Sequence, residues 1–310
     1  MNCPSAGQGF YGQDALYGWD RSHNESERYA RTTPVTDQPI VEDNVTKLIW
    51  QGCPGGRSGS NCATGSASSA STPNWSEALA YCDSLEWGGS ADWRLPDPTE
   101  LFSIVDSGRA NQAIDPAAFP ANSNWRYWSS SSYAGNSSNA WYIFFRDGFM
   151  NDDDKSSGYR VRCVRGGPFV SRRFESFTRS GDPVVRDNVN NLEWQGCTAG
   201  LSGADCTAGA TETYTWIKAL AYCEGLSFGG HLDWRLPSRA ELQSIVDQRR
   251  VNPSIDPAMF PATPNDYFWS SSTYVNVTIY AWCVDFYDGG SVDDDLKGLD
   301  YRVRCVRGGP

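Results

Sequence analysis

Histidine is almost absent from this 310-residue chain, with only His23 and His231, and methionine contributes three residues. No histidine recurs at an equivalent place and no Cys-x-x-Cys occurs, so a tetrahedral zinc shell has no ligands to complete it. The ten cysteines therefore read as disulfide partners, and an oxidising compartment follows. No stretch approaches the roughly 20 apolar residues of a membrane-spanning helix, and the opening MNCPSAGQGF lacks the apolar core of a signal peptide. An exported chain whose leader has been removed is the expectation. Positive charge is also in deficit, 26 Lys and Arg against 37 Asp and Glu for a net charge of −11. That balance argues against nucleic acid or an anionic membrane as partner. What the chain does have is aromatic residues, 13 Trp, 15 Tyr and 13 Phe, set among 30 Gly. The mixture suits a loop-rich exported domain with aromatic anchors, and the length favours two domains over one.

Self-similarity organises the chain. DNVTKLIWQGC at Asp43 to Cys53 returns as DNVNNLEWQGC at Asp187 to Cys197, a shift of 144 residues. The landmarks ALAYC, DWRLP, SIVD, IDP, FPA, WSSS, DG, DDD and YRVRCVRGGP then recur in the same order, the offset drifting to 141 and 142. A repeat of this length is a whole domain rather than a solenoid unit. The expected division is an extension at 1–27, a first domain at 28–168, a linker at 169–181 and a second domain at 182–310.

Each copy reads as two helices followed by strands. Asn74 opens N-W-S-E with Ala78, Leu79, Cys82 and Leu85 on one helical face, and its partner helix starts at Thr215. A second helix opens with D-P-T-E at Asp97 and S-R-A-E at Ser238, both capping-box patterns. AWYIFFRDG and YRVRCV are strand and hairpin sequences. The fold class expected is α+β, with two helices and a compact, loop-rich antiparallel sheet per domain.

Four cysteines match between copies. Cys53 and Cys62 flank the turn PGGRSGS, whose length suits a local bridge, as do Cys197 and Cys206. That leaves Cys82 with Cys163, and Cys223 with Cys305, joining the first helix to the last strand. Closing a loop of about 80 residues is worth on the order of 4 kcal/mol. Cys3 and Cys283 have no counterpart, Tyr142 standing where Cys283 stands. They are candidates for a bridge to each other, within one chain or between chains, with two buried thiols as the alternative.

The ordered set LIWQGC, ALAYC, DWRLP-x3-EL-x2-IVD, IDP-x2-FP, WSSS-x-Y, AW-x3-F-x-DG and YRVRCVRGG resembles the Lcl C-terminal domain family, a former domain of unknown function that ends a collagen-like bacterial adhesin. Both copies match over nearly their full length. The resemblance implies a C-type lectin-like fold, in which a disulfide from helix to last strand is usual. It also implies attachment at the bacterial surface or in the extracellular space, with some members binding sulfated glycans. This chain has no collagen-like Gly-x-y region, and it lacks the Glu-Pro-Asn, Gln-Pro-Asp and Trp-Asn-Asp signatures of calcium-dependent sugar binding.

Enzyme chemistry finds little support. The formylglycine-generating oxidases of the lectin-like fold need reactive cysteines, whereas every repeated cysteine here has a structural partner, so no catalytic residue is expected. The acidic triplets offer Asp152, Asp154, Asp293 and Asp295 as oxygen ligands for calcium, the one candidate cofactor. The competing reading is a solvated turn paired with Arg160, Arg162, Arg302 and Arg304. For recognition, identity between copies marks packing and difference marks surface. Trp93, Trp234, Trp128, Trp269, Trp141 and Trp282 are thus expected in the core. Trp125, Arg126 and Tyr127 stand where Asp266, Tyr267 and Phe268 stand, and Tyr133, Asn136 and Asn139 lie in the loop that matches Tyr274 and Asn276. These are the candidate ligand-binding residues, exposed aromatics beside polar groups that can stack on a sugar or anchor a protein. Two functions follow as expectations. The first is a non-catalytic, secreted or surface-displayed adhesin that binds glycans or a surface protein. The alternative is a subunit of an extracellular fibre, a homopolymer assembled head to tail and cross-linked by Cys3 and Cys283.

Overall fold

The computed structural model describes residues 28–65, 72–109, 111–122, 125–167 and 173–309. They fall into two compact units, 28–167 and 173–309. In the first, strands β1 (Tyr29–Val35), β2 (Gln38–Asp43) and β3 (Leu48–Gln51) are followed by a small hairpin of β4 (Arg57–Ser58) and β5 (Thr64–Gly65). Helices α1 (Trp75–Asp83) and α2 (Pro98–Ser103) come next, then β6 (Arg126–Ser132), β7 (Asn139–Phe144), β8 (Phe149–Asp154) and β9 (Val164–Gly166). One sheet has the order β1-β2-β3-β9, so the last strand closes against the third, and β6-β7-β8 form the other. All these strand pairs are antiparallel.

The second unit repeats the plan. Strands β10 (Phe174–Arg179), β11 (Asp182–Asp187), β12 (Leu192–Gln195), β13 (Leu201–Ser202) and β14 (Ala208–Gly209) precede helices α3 (Trp216–Glu224) and α4 (Arg239–Ser244). Then come β15 (Tyr267–Thr273), β16 (Tyr280–Asp285), β17 (Ser291–Leu296) and β18 (Val306–Gly308). The sheets are β10-β11-β12-β18 and β15-β16-β17. The expected linker is therefore corrected: most of 173–179 is the first strand of the second unit, the counterpart of β1. Phe174 and Phe177 are three residues apart and break the strand alternation that would have revealed it. The pairing is made by a tight turn in which Ser180 and Gly181 hold φ of 52° and 91°, the left-handed geometry that a two-residue hairpin needs.

The helices are nine and six residues long, too short to persist without packing, and their starts are chemically marked. Asn74, Asp97 and Ser238 each accept from the backbone three residues on while Glu77, Glu100 and Glu241 reach back. Thr215 makes no such bond, and α3 is held instead by Trp216, whose Nε1 donates to Ser270 O at 2.8 Å.

The β6-β7-β8 sheet is covered on both faces. Along β7, Trp141 and Ile143 join one apolar cluster with Trp50, Leu101 and Phe119. Ala140 and Tyr142 join the other with Trp93, Trp128 and Val161. Trp128, Trp141 and Trp269 are fully buried and Trp282 is 1% exposed, as the identity between copies predicts. Arg162 and Arg304 are buried as well, each lying over a phenylalanine, Phe119 at 4.9 Å and Phe260 at 4.9 Å.

Four bridges join Cys53 to Cys62, Cys82 to Cys163, Cys197 to Cys206 and Cys223 to Cys305. Cys163 sits one residue ahead of β9 rather than within it. Cys3 lies outside the described residues. Cys283 is a buried thiol on β16, its Sγ 2.8 Å from Asp295 Oδ2. The expected bridge from Cys283 to Cys3 therefore falls on a residue outside the described set, while Cys283 itself lies in the core of its own domain.

Candidate functional site

The outer part of the β6-β7-β8 sheet gathers a set of side chains that no single motif contains. Arg126 pairs with Phe144, and Phe144 with Phe149; Trp128 pairs with Tyr142, and Tyr142 with Asn151; Ala140 pairs with Asp153. Residues directly opposite across a sheet share a face, so Arg126, Tyr142, Phe144, Phe149, Asn151 and Asp153 stand together. Tyr159, from the segment that crosses beside β6, completes the group.

Arg126 is its centre. The guanidinium carbon lies 5.1 Å from the Tyr142 ring, 5.7 Å from Phe144 and 5.4 Å from Tyr159. Its Nη1 donates to Tyr159 Oη at 2.9 Å and is 3.9 Å from Asp153. The Tyr159 hydroxyl donates in turn to Asp153. Burial, reinforced by that bond to a carboxylate, pushes Tyr159 up to about 12, so it stays a neutral donor. Arg146 also lies over Phe144, at 4.7 Å. Phe144, Phe149 and Asn151 are half-buried, and the Arg126 side chain is 43% exposed. Tyr142 and Tyr159 are buried and set at 62° to one another, so the accessible part is the half-buried pair Phe144 and Phe149, with a cation, a carboxylate and an amide at its border. It can stack against the apolar face of a ring and bond to that ring's polar substituents.

The second unit keeps the frame and changes the border. Tyr301 donates to Asp295 Oδ1 at 2.9 Å, as Tyr159 does to Asp153, and Trp269 stacks on Tyr301 at 4.6 Å. Tyr267, Cys283 and Asp285 replace Arg126, Tyr142 and Phe144. Burial, with Asp288 and Asp266 nearby, raises the Asp285 carboxyl. The same scaffold thus offers a cationic aromatic surface in one unit and an acidic one in the other.

The candidate residues are not assembled into one site. Trp125 is 48% exposed with Arg160 over its ring at 5.3 Å, beside the start of β6. Tyr127 is fully buried, packed edge-on against Phe145 at 5.2 Å, and its place among exposed ligand-binding residues is corrected. Both faces of β6 meet a core, so neighbours in sequence are buried together and a difference between copies no longer marks surface. Tyr133 packs on Trp141 at 5.4 Å, Asn136 accepts from Ser138, and Asn139 donates to Asp152 at 2.7 Å. These three lie beyond the far end of β6, on the order of 20 Å from Trp125 along a seven-residue strand. Asp266 is paired with Arg302 at 3.0 Å, Tyr267 stacks on Tyr301 at 5.2 Å, and Asn276 donates to Tyr274, which packs on Trp282.

The acidic triplets lie on strands rather than in turns, and they are out of step with the alignment by one residue. Asp153 faces Ala140 whereas Asp295 faces Ala281, because β16 and β17 shift register between Ala281 and Cys283. Asp152 accepts from Asn139, Asp154 from the Ser156 backbone, and Asp295 from Cys283 and Tyr301. The side chain of Asp293 is outside the described set. Among the described residues no three His, Cys, Asp or Glu side chains gather as a metal site. Tyr142, Phe144, Phe149, Asn151 and Tyr159 were not visible as site residues in sequence. The signal that could have found them is the exchange of Tyr142 and Phe144 for Cys283 and Asp285 inside otherwise repeated strands.

Among the described residues no helix is long and apolar enough to cross a membrane. No curated protein matches the chain. The sequence profile of the Lcl C-terminal domain matches twice, over residues 39–165 and 183–307, each match lying within one of the two units. With four disulfides holding two copies of an extracellular, adhesin-related domain, the chain belongs to the Lcl C-terminal domain family.

Proposed function

We propose that this chain is an exported, non-catalytic attachment protein of the bacterial surface that binds a glycan through the Arg126 surface of its first unit. The observation that carries the reading is the stacking of one half-exposed guanidinium on Tyr142, Phe144 and Tyr159 with Asp153 beside it. Sugars present an apolar ring face and a rim of hydroxyls, and this surface has a partner for each. A C-type lectin-like scaffold is part of the proposal. The pairing of β3 with β9, which brings the ends of the unit together, and the bridge from α1 to the segment before β9 support it. No metal enters the mechanism: Arg126 orients the ring by its charge and plane, Asn151 and Asp153 bond to hydroxyls, and Phe144 and Phe149 exclude water.

A glycan array followed by calorimetry on the best ligand tests the reading. Arg126→Ala should weaken binding about 5- to 30-fold, the loss of one cation–π contact and one charged hydrogen bond. Asp266→Asn, in the other unit, should leave the affinity unchanged, and so should a chelator. Binding that survives Arg126→Ala, or an array without any hit beside capture of a purified surface protein, would overturn the glycan assignment.

A further inference from the structure

The two units differ in polarity at one end of their three-stranded sheets. In the second unit Ile217, Val277, Ile279, Leu296 and Leu299 are exposed, from 40% at Val277 to 56% at Ile279. They come from the start of α3, the turn between β15 and β16, the end of β17 and the turn after it. Backbone bonds tie these segments together, Lys297 N to Ile279 O at 3.1 Å and Trp216 N to Lys297 O at 3.0 Å. The first unit makes the same two bonds, Lys155 N to Ser138 O and Trp75 N to Lys155 O, both 3.0 Å. Its residues at the five positions are Ser76, Asn136, Ser138, Asp154 and Ser157. One backbone thus carries a polar end in one unit and an aliphatic end in the other.

Aliphatic side chains left in water where the fold accepts serine, asparagine and aspartate are not required by packing. Five of them expose on the order of 400 Å² of apolar surface, a size at which a patch on a monomer is usually functional. The neighbouring charges suggest what covers it. Lys218 follows Ile217 and Asp300 follows Leu299; both are exposed, and among the described residues neither has a charged partner. In a twofold contact each element meets its counterpart reciprocally. A patch bordered by one cation and one anion can therefore form two ion pairs with a second copy of itself.

We propose that this end of the second unit is a homodimer interface, Ile217, Val277, Ile279, Leu296 and Leu299 forming its apolar centre and Lys218 facing Asp300 of the other copy. Two such faces with their rims reach about 1,200 Å², the lower limit for specific association. The dimer is accordingly weak and reversible. The contact uses no residue of the Arg126 surface.

Sedimentation equilibrium of the full chain from about 1 µM to about 300 µM tests the proposal. The unaltered chain should show a concentration-dependent dimer, and Ile279→Ser with Leu296→Asp should weaken it at least tenfold, on the order of 1.4 kcal/mol or more. Near-ultraviolet dichroism should not change, since the first unit carries those residues on the same backbone. Should that variant fail to fold, the charges decide: Lys218→Glu weakens the dimer and Lys218→Glu with Asp300→Lys restores it. A chain that stays monomeric throughout, an unchanged constant in the apolar variant, or a charge exchange that fails to restore association overturns the proposal.

Discussion

Cys283 on β16 lies with its Sγ 2.8 Å from Oδ2 of Asp295 on β17, and the other carboxylate oxygen accepts from Tyr301. In the first unit Tyr142 takes the place of the sulfur, and Asp153 still accepts from Tyr159. Cys283 is fully buried while Asp295 is only partly so, and the reactivity of the sulfur is limited by access rather than by chemistry.

A chain carrying Cys3→Ser should therefore show no reactive thiol to an aromatic disulfide reagent while folded. One thiol per chain should appear on unfolding without reductant. Reaction in the folded state would place Cys283 at the surface, and no reaction after unfolding would mean that it is bridged.

The two kinds of disulfide should differ in their contribution. Cys82–Cys163 and Cys223–Cys305 span 81 and 82 residues, Cys53–Cys62 only 9. On loop entropy, removing a long bridge with paired alanines should cost about 4 kcal/mol and removing the short one about 2.5 kcal/mol. Urea unfolding of each variant under oxidising conditions measures the difference, and equal losses would contradict the ordering.

Arg304 is enclosed, and among the described residues no carboxylate pairs with it. Its Nη1 donates to Gln195 O at 2.8 Å and Gly196 O at 2.5 Å, and its Nη2 donates to Thr263 Oγ1 at 2.7 Å. Burial pulls the guanidinium down to about 9, still a cation at neutral pH. Arg304→Met keeps much of the volume but leaves two buried carbonyls unpaired, so a loss of about 3 kcal/mol is expected. A melting temperature equal to that of the parent would show that water replaces the side chain at little cost.

Glu193 is held by three arginines, with Arg179 at 2.6 Å, Arg307 at 2.5 Å and Arg186 at 2.9 Å. The bond from Arg179, opposed by burial and helped by Arg186 and Arg307, brings its carboxyl down to about 2. A depressed carboxylate stabilises the fold fully above its unfolded value and loses that contribution as pH falls toward the folded one. Glu193→Gln should thus be less stable than the parent by roughly 2 kcal/mol at neutral pH. The gap should close between about pH 4.5 and pH 2. A gap independent of pH across that window would mean that packing, not charge, is responsible.

The duplication, the four capped or marked helix starts and the four bridges could all be read from the chain, because each depends on residues close in sequence or repeated at a fixed offset. Asn74 with Glu77 and Asp97 with Glu100 are local hydrogen-bonding units, and cysteines that recur in pairs constrain one another. Strand β10 was hidden because Phe174 and Phe177 do not alternate, and only the neighbour β11 decides that the segment extends. Tyr127 was misplaced for a related reason: alternation separates core from solvent only when one face of a sheet is wet, and here both faces of β6 are covered. The Arg126 surface belongs wholly to tertiary structure, since Arg126, Tyr142, Phe149, Asp153 and Tyr159 meet through strand register and a crossing segment. A one-residue shift between Ala281 and Cys283 is enough to set Asp295, and not its aligned neighbour, under Tyr301. Composition and repeat determine which parts this chain has; packing on both sides of a sheet decides which of them remain available to a ligand.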